Sequence, residues 1–168
     1  EKLFKKNCYI NILNTGKNSM TGGRLKRVSK YIENGEDFMF TYGDGLSDIN
    51  LSKLKKFHKK SKKIVTVTAV RPPARFGELT IKKNIVSKFT EKPQVSEGWI
   101  NGGFFIANKK IFDFIKNDKT ILEKEPLEIL ARKKQLLAFK HKGFWRCMDT
   151  KRDKDFLEQL TKSKKRKW

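Results

Sequence analysis

The chain has 168 residues, 37% of them hydrophobic with 13 Phe and 3 Trp, and 40 basic against 18 acidic residues give it a net charge of +22. Such a length and apolar content suit one globular domain with a real core and exclude a disordered segment. No apolar run nears the ~20 residues of a membrane span, no signal-peptide pattern opens the chain, and Cys8 and Cys147 are too few for a disulfide framework. A cytoplasmic setting with no membrane partner is therefore expected.

In chain order, "TGGRLKRVSKYIENG" (21–35) predicts a helix, with Leu25, Val28 and Ile32 on one face and Gly35 past its end. "EDFMFTY" predicts a short strand, and "NLSKLKKFHKKSK" a second helix with Asn50 as N-cap. Leu51, Leu54 and Phe57 recur there every three residues, so the dense lysines form its solvated face. The spread of lysines along the whole chain favours a solvated surface over a nucleic-acid stripe, and no specific nucleic-acid partner is expected. "IVTVTAV" (64–70) is β-branched and nearly continuous, as in a buried strand.

"GELTIKKNIVSKFTEKP" alternates apolar and polar residues about Lys83-Asn84, predicting a β-hairpin with one wet face. "GWINGGFFIANKKIFDFIKND" reads as a strand running into a helix, and "EPLEILARKKQ" (125–135) as a helix with Pro126 in its first turn. "LLAFKHKGFWRCMDT" is extended, "KRDKDFLEQLTKSKK" a closing helix, and the basic tail 162–168 frayed. Without repeats or linkers, residues 1–168 form one domain. Helices alternating with strands point to an α/β fold whose sheet is mostly parallel, with flanking helices and a small antiparallel hairpin region.

Three stretches carry candidate chemistry. In "FTYGDGLSDIN" (40–50) the apolar run stops at Asp44. Asp-Gly is a strong hairpin turn; equally, a strand feeding a crossover helix would place this carboxylate at a ligand-binding strand end. There a cation, Mg²⁺ above all, would bridge it to phosphates. In "NSMTGGRLKR" (18–27), Ser19, Thr21 and two glycines precede a helix with Arg24 in its first turn. That is either an anion site of free N–H groups and a guanidinium or an ordinary capped glycine loop. "GFWRCMDT" ends in Asp149 before a helix, repeating the logic of Asp44, so the two acids could share one divalent ion. Cys8, His58, His141 and Cys147 lack the paired short spacings of a zinc site, and no Ser-His-Asp or Cys-His nucleophile pattern emerges.

Taken together and in order, "SMTGGRLKRV", "FMFTYGDGLSDIN", "RPPARFGEL", "FTEKP", "INGGFFIAN", "EPLEILA", "GFWRCMDT" and "RDKDFLE" resemble the bacterial glucose-1-phosphate cytidylyltransferases (CDP-glucose pyrophosphorylases) of the sugar-nucleotide pyrophosphorylase family. The resemblance covers residues 12 to 160. It implies a Rossmann-like nucleotidyltransferase fold, Mg²⁺, CTP and α-D-glucose 1-phosphate as substrates, and CDP-glucose and pyrophosphate as products. It also implies a homo-oligomer and a place in cell-surface (O-antigen-type, lipopolysaccharide) deoxysugar biosynthesis. By the same resemblance Asp44 and Asp149 are the metal ligands. Ser19, Arg24 and Gly43 contact the nucleotide, and Lys92 grips the sugar phosphate. Gly77, Glu91, Asn101 and Gly102 line the sugar pocket, and Asp44, Arg24 and Lys92 form the catalytic set. The family's opening glycine-rich phosphate loop has no counterpart here, and the chain starts at Glu1 rather than Met. An N-terminally truncated fragment is expected. The alternatives are another sugar-1-phosphate nucleotidyltransferase using dTTP or UTP, and a non-catalytic sugar-phosphate-binding module.

Overall fold

A computed structural model describes residues 9–33, 35–72, 78–90 and 98–168. Its central sheet has four strands in the order β1 (Phe38–Thr41), β6 (Ile100–Ala107), β3 (Val65–Val70), β7 (Leu136–Lys140). β3 and β7 pair in parallel, while β6 lies antiparallel between β1 and β3. Three strands thus run one way, as the alternation of elements implies, and β6 is the reversed one. Its direction follows from the preceding hairpin, β4 (Glu78–Lys82) and β5 (Ile85–Thr90), which interrupts the helix-strand alternation.

Two faces of the sheet are covered. Val65 and Phe105 point to a core completed by Ile111, Ile115, Leu122, Leu127 and Leu130, with Leu25 packed against it. Leu25 comes from α1 (Thr21–Val28), and Leu127 and Leu130 from α3 (Glu125–Arg132). Phe40 and Phe105, opposite each other in the register, stack with centroids 4.6 Å apart, and Phe38 stacks on Phe112 at 5.6 Å. Alternation along β3 turns Thr66 to the other face. There His58 of α2 (Leu51–Ser61), with 2% of its surface exposed, meets the Thr66 hydroxyl at 2.8 Å. Burial lowers the His58 pKa, an effect only partly offset by Asp37, 3.6 Å from Nε2. Asn50 caps α2 by accepting from the Lys53 N–H at 2.8 Å, as its position predicts.

The remaining strands are short. β2 (Gly45–Ser47) pairs with β8 (Trp145–Cys147), and α4 (Lys151–Lys162) closes the chain. The first predicted helix ends at Val28, gives one 3-10 turn over Ser29–Tyr31, and is extended by Ile32. Val28, Ser29, Tyr31 and Ile32 are weak helix formers, and the i→i+3 bond from the Ile32 N–H to Ser29 closes the segment. Lys83 and Asn84 take φ of 44° and 64°, the two positive values a type I′ hairpin turn demands. The apolar face of that hairpin stays open: Leu79, Ile81, Val86 and Phe89 are 51%, 59%, 50% and 62% exposed. After α4, Trp168 stacks on Phe144 at 5.5 Å, an anchor within the tail expected to fray. Among the described residues no helix is long and apolar enough to cross a membrane.

Candidate active site

β1, β3 and β7 share one sheet edge at their carboxyl ends, and β1 delivers Tyr42, Gly43 and Asp44 to it. The Asp-Gly pair does not close a simple hairpin of β1. The chain turns at Gly43-Asp44 into β2, which leaves the sheet to pair with β8. In that ribbon Gly45 lies opposite Cys147, and the Met148 N–H donates to the Asp44 carbonyl at 2.9 Å. Asp44 therefore faces Met148, and Asp149 stands one residue further on. The register thus sets the backbones of these two residues, distant in sequence, at one end of the ribbon, and both residues are exposed. Thr150 follows at once and caps α4 in a reciprocal capping box with Asp153, fixing the backbone beside Asp149.

As a donor set the pair fits Mg²⁺, which takes hard oxygens and is commonly held by one or two carboxylates, leaving other positions to phosphate oxygens and water. Among the described residues no cluster of three or more His, Cys, Asp or Glu forms a self-sufficient metal cage. The Cys147 thiol donates to Asp149 Oδ2 at 3.1 Å, and burial followed by that bond and charge pushes it up to about 11. It stays a protonated donor at neutral pH.

A bulge in β6 shapes the neighbouring wall. Between the pairs Val67–Phe105 and Ala69–Asn101, one residue of β3 opposes three of β6. The extra residues include Gly102 and Gly103, and both glycines are required by contact. A Cβ on Gly102 would stand 2.8 Å from Val70 Cγ1 and 3.0 Å from the Thr68 carbonyl. Gly103 has φ +78° with the Tyr42 ring against it. Such bulges re-aim side chains near functional sites, and here the re-aimed residue is Asn101. Its Oδ1 accepts from the Gly103 N–H (2.8 Å) and its Nδ2 donates to the Tyr42 hydroxyl (3.1 Å). Gly102 is thus explained by close packing, with its carbonyl accepting from Trp145 Nε1 at 2.8 Å and tying the ribbon to the sheet.

Glu123 is the residue that sequence reasoning missed. The Tyr42 hydroxyl donates to its Oε1 at 2.5 Å and the Thr21 hydroxyl to its Oε2 at 2.6 Å, while Thr21 Oγ1 accepts from the Leu122 N–H at 2.9 Å. Burial first, then the bond to Glu123, holds the Tyr42 phenol well above its ordinary pKa. One carboxylate thereby joins the end of β1 to the start of α1. No spacing marks it, since it sits in a polar stretch ahead of α3.

Three N–H groups at the start of α1 are already committed, which favours the glycine-loop alternative for "NSMTGGRLKR" over the anion site. The Met20 N–H donates to the Asp118 carbonyl (2.8 Å), and those of Gly22 and Gly23 to Thr120 (3.0 and 3.3 Å). The glycines admit the 118–120 backbone: a Cβ on Gly23 would fall 2.4 Å from the Asp118 oxygen. Arg24 is exposed and donates to Thr15 Oγ1 (2.9 Å) and the Lys17 carbonyl (3.2 Å), so it braces the preceding loop, while Ser19 is buried with 7% exposure. Glu123 links this region to Tyr42-Gly43-Asp44, so the structure brings the Ser19 and Arg24 segment, Asp44, Asp149, Asn101 and Gly102 to one end of the fold. Gly77, Glu91 and Lys92, like Cys8, lie outside the described residues. At the same edge the Arg71 guanidinium and Lys140 ammonium approach the Trp99 ring at 4.8 and 5.5 Å.

The ribbon's far end is clasped by His141. Its Nε2 lies 2.9 Å from Asp48 Oδ1, 3.2 Å from the Phe144 carbonyl and 3.3 Å from Ser47 Oγ. Ser47 donates to Phe144 at 2.6 Å, so its hydroxyl is a tie between loops and no activated nucleophile.

A short sheet with helices on both faces, and a two-stranded ribbon at its edge, make up an α/β domain. Residues 4–165 match the nucleotidyl transferase family, and the chain belongs to it. It is 48% identical over 159 residues to the glucose-1-phosphate cytidylyltransferase of Salmonella typhimurium, an alignment that covers 95% of this chain and 62% of that protein. The mannose-1-phosphate guanyltransferase of Saccharomyces cerevisiae is 33% identical, over 82% of this chain and 39% of that protein. Among solved structures, UDP-glucose pyrophosphorylase complexed with UDP-glucose superposes with a TM-score of 0.63 over 90% of this chain and 65% of its own, at 16% identity. That likeness supports the Rossmann-like nucleotidyltransferase fold. The chain spans about three fifths of the length of the Salmonella relative.

Proposed function

We propose that this chain serves a nucleotidyltransferase that makes CDP-glucose and pyrophosphate from CTP and α-D-glucose 1-phosphate. The observation that carries the reading is the pairing of β2 with β8, which sets the Asp44 backbone beside Met148, one residue from Asp149. A phosphate oxygen of the sugar attacks the α-phosphorus of CTP, the bond to the β-phosphate breaks, and pyrophosphate leaves. This chemistry needs alignment and charge neutralisation more than a covalent protein nucleophile. Bound between Asp44 and Asp149, Mg²⁺ would supply neutralisation of the triphosphate and of the departing pyrophosphate. Ser19, Arg24 and Gly43 contact the nucleotide in this reading, and Asn101 and Gly102 the sugar. Gly77, Glu91 and Lys92 enter by the family resemblance alone, with Lys92 gripping the sugar phosphate. The basic edge at Arg71 and Lys140 favours two anionic substrates. The product would feed cell-surface polysaccharide synthesis in the cytoplasm, and the working form would be a homo-oligomer.

The test is pyrophosphate release by the full chain from CTP, dTTP, UTP and GTP in turn, each with glucose 1-phosphate and Mg²⁺. CTP-dependent release that falls at least ~100-fold in Asp44→Ala and Asp149→Ala supports the reading. Release preferring another nucleotide replaces the base assignment, and undiminished turnover in both variants removes the metal-ligand assignment. The alternative reading is a module that binds sugar phosphate without turnover. Glucose 1-phosphate binding with no pyrophosphate release from any nucleotide would select it.

A further inference from the structure

The Tyr42 phenol is chemically committed on both sides. Its single O–H goes to Glu123 Oε1 at 2.5 Å, because an ionised carboxylate only accepts. Its oxygen is then available to accept, and it does so from Asn101 Nδ2 at 3.1 Å. Asn101 is in turn committed, its Oδ1 accepting from Gly103 N–H at 2.8 Å in the β6 bulge. Together these bonds select one of the two orientations of the amide, with nitrogen toward Tyr42 and oxygen toward Gly103. Among the described residues, no partner takes the second Nδ2 hydrogen. The other oxygen of Glu123 is occupied by Thr21, whose hydroxyl accepts from Leu122 N–H, so the carboxylate is itself held from two sides. Each bond in this chain thus has a fixed donor and acceptor, a condition for a preorganised polar site.

We propose that Glu123 is a positioning residue: by holding the Tyr42 hydroxyl it makes Tyr42 fix the Asn101 amide in the orientation that donates to a hydroxyl of the sugar phosphate. This rests on the sugar-pocket reading of Asn101 given above. Glu123 and Tyr42 act through Asn101 and touch no reacting atom. Their loss weakens recognition of the sugar phosphate while the nucleotide side is spared when Tyr42 alone is changed.

The experiment is calorimetric titration of the full chain with glucose 1-phosphate and, separately, with CTP, in Mg²⁺, alongside thermal melts. Tyr42→Phe removes one oxygen and keeps the ring on Phe105; Glu123→Met removes both acceptors at similar length. Each single variant is expected to weaken glucose 1-phosphate binding about tenfold, the scale of one hydrogen bond. Tyr42→Phe should leave CTP binding within about twofold, and the double variant should lose no more than the worse single one, because both act on the same amide. Wild-type glucose 1-phosphate affinity in Tyr42→Phe, an equal loss for CTP in that variant, or additive losses in the double variant would each overturn the inference. If the unaltered chain binds no glucose 1-phosphate, the proposed function fails and the inference fails with it. That result is distinct from a binding parent chain with indifferent variants, which removes the inference alone.

Discussion

Gly23 lies where α1 meets the 118–120 segment, and replacing it with alanine sets two effects against each other. In a helix the change is worth about 1 kcal/mol in favour of alanine. Against it, the new Cβ would stand 2.4 Å from the Asp118 carbonyl oxygen, 2.5 Å from its Cα and 2.7 Å from its carbonyl carbon. All three are backbone atoms, so no rotamer change relieves the clash, and α1 must move away. Moving it stretches the bonds from Met20 to Asp118 and from Gly22 and Gly23 to Thr120. Overpacking costs about 1–3 kcal/mol, and each weakened bond about 1 kcal/mol. The clash wins, with a net loss of about 2–4 kcal/mol, or roughly 5–15 °C in Tm for a domain of this size. Urea unfolding followed by tryptophan fluorescence, with the slope checked for constancy, measures it. Gly23→Ala within 0.5 kcal/mol of the parent would refute the close-approach reading and restore the glycine loop as a candidate for ligand contact.

Gly43→Ala should behave oppositely, since its Cβ would meet nothing within 4 Å: stability within about 0.5 kcal/mol, but weaker CTP binding by calorimetry, and unchanged binding would remove Gly43 from the nucleotide contacts. His58, whose pKa is lowered by burial, resists protonation in the folded state while the unfolded chain takes up a proton near pH 6.5. Its stabilising contribution is therefore complete above pH 6.5 and is lost as pH falls from there through the folded value, so the urea midpoint should drop over that window and drop less steeply in His58→Gln. Lys83→Gly relieves a positive φ of 44° worth about 1–2 kcal/mol at an unfolded-state cost of about 0.4–1 kcal/mol. Amide exchange in β4 and β5 should slow slightly; faster exchange would count against the type I′ turn.

What the sequence disclosed is what local chemistry encodes. Asn50 caps α2 because only its side chain can reach Lys53 N–H from that position, and Lys83-Asn84 turns because alternating residues flank it on both sides. That Asp44 and Asp149 each close an apolar run was also legible, from residue types alone. The reversed direction of β6 was not, because an apolar run reads the same whichever way it enters a sheet. Gly22 and Gly23 left two readings open for a related reason: a glycine admits a ligand's phosphate or a neighbouring backbone equally well, and the 118–120 segment packs closely on both. Glu123 escaped altogether, since its role comes from two hydroxyls on distant elements.

The two acids stand on a ribbon of two three-residue strands, too short to be stable alone, so its order must come from its attachments. Trp145 anchors it to the β6 bulge, the Thr150 capping box fixes one end, and the His141 clasp with Asp48, Ser47 and Phe144 fixes the other. None of these attachments relies on burying apolar surface around Asp44 or Asp149, and both carboxylates keep access to solvent. That division of labour is what a phosphate-handling site requires. Burial around the acids would penalise their charged forms, whereas hydrogen bonds one residue away hold the backbone still and leave the charges available. The +22 charge acts at longer range and favours anionic ligands wherever they bind.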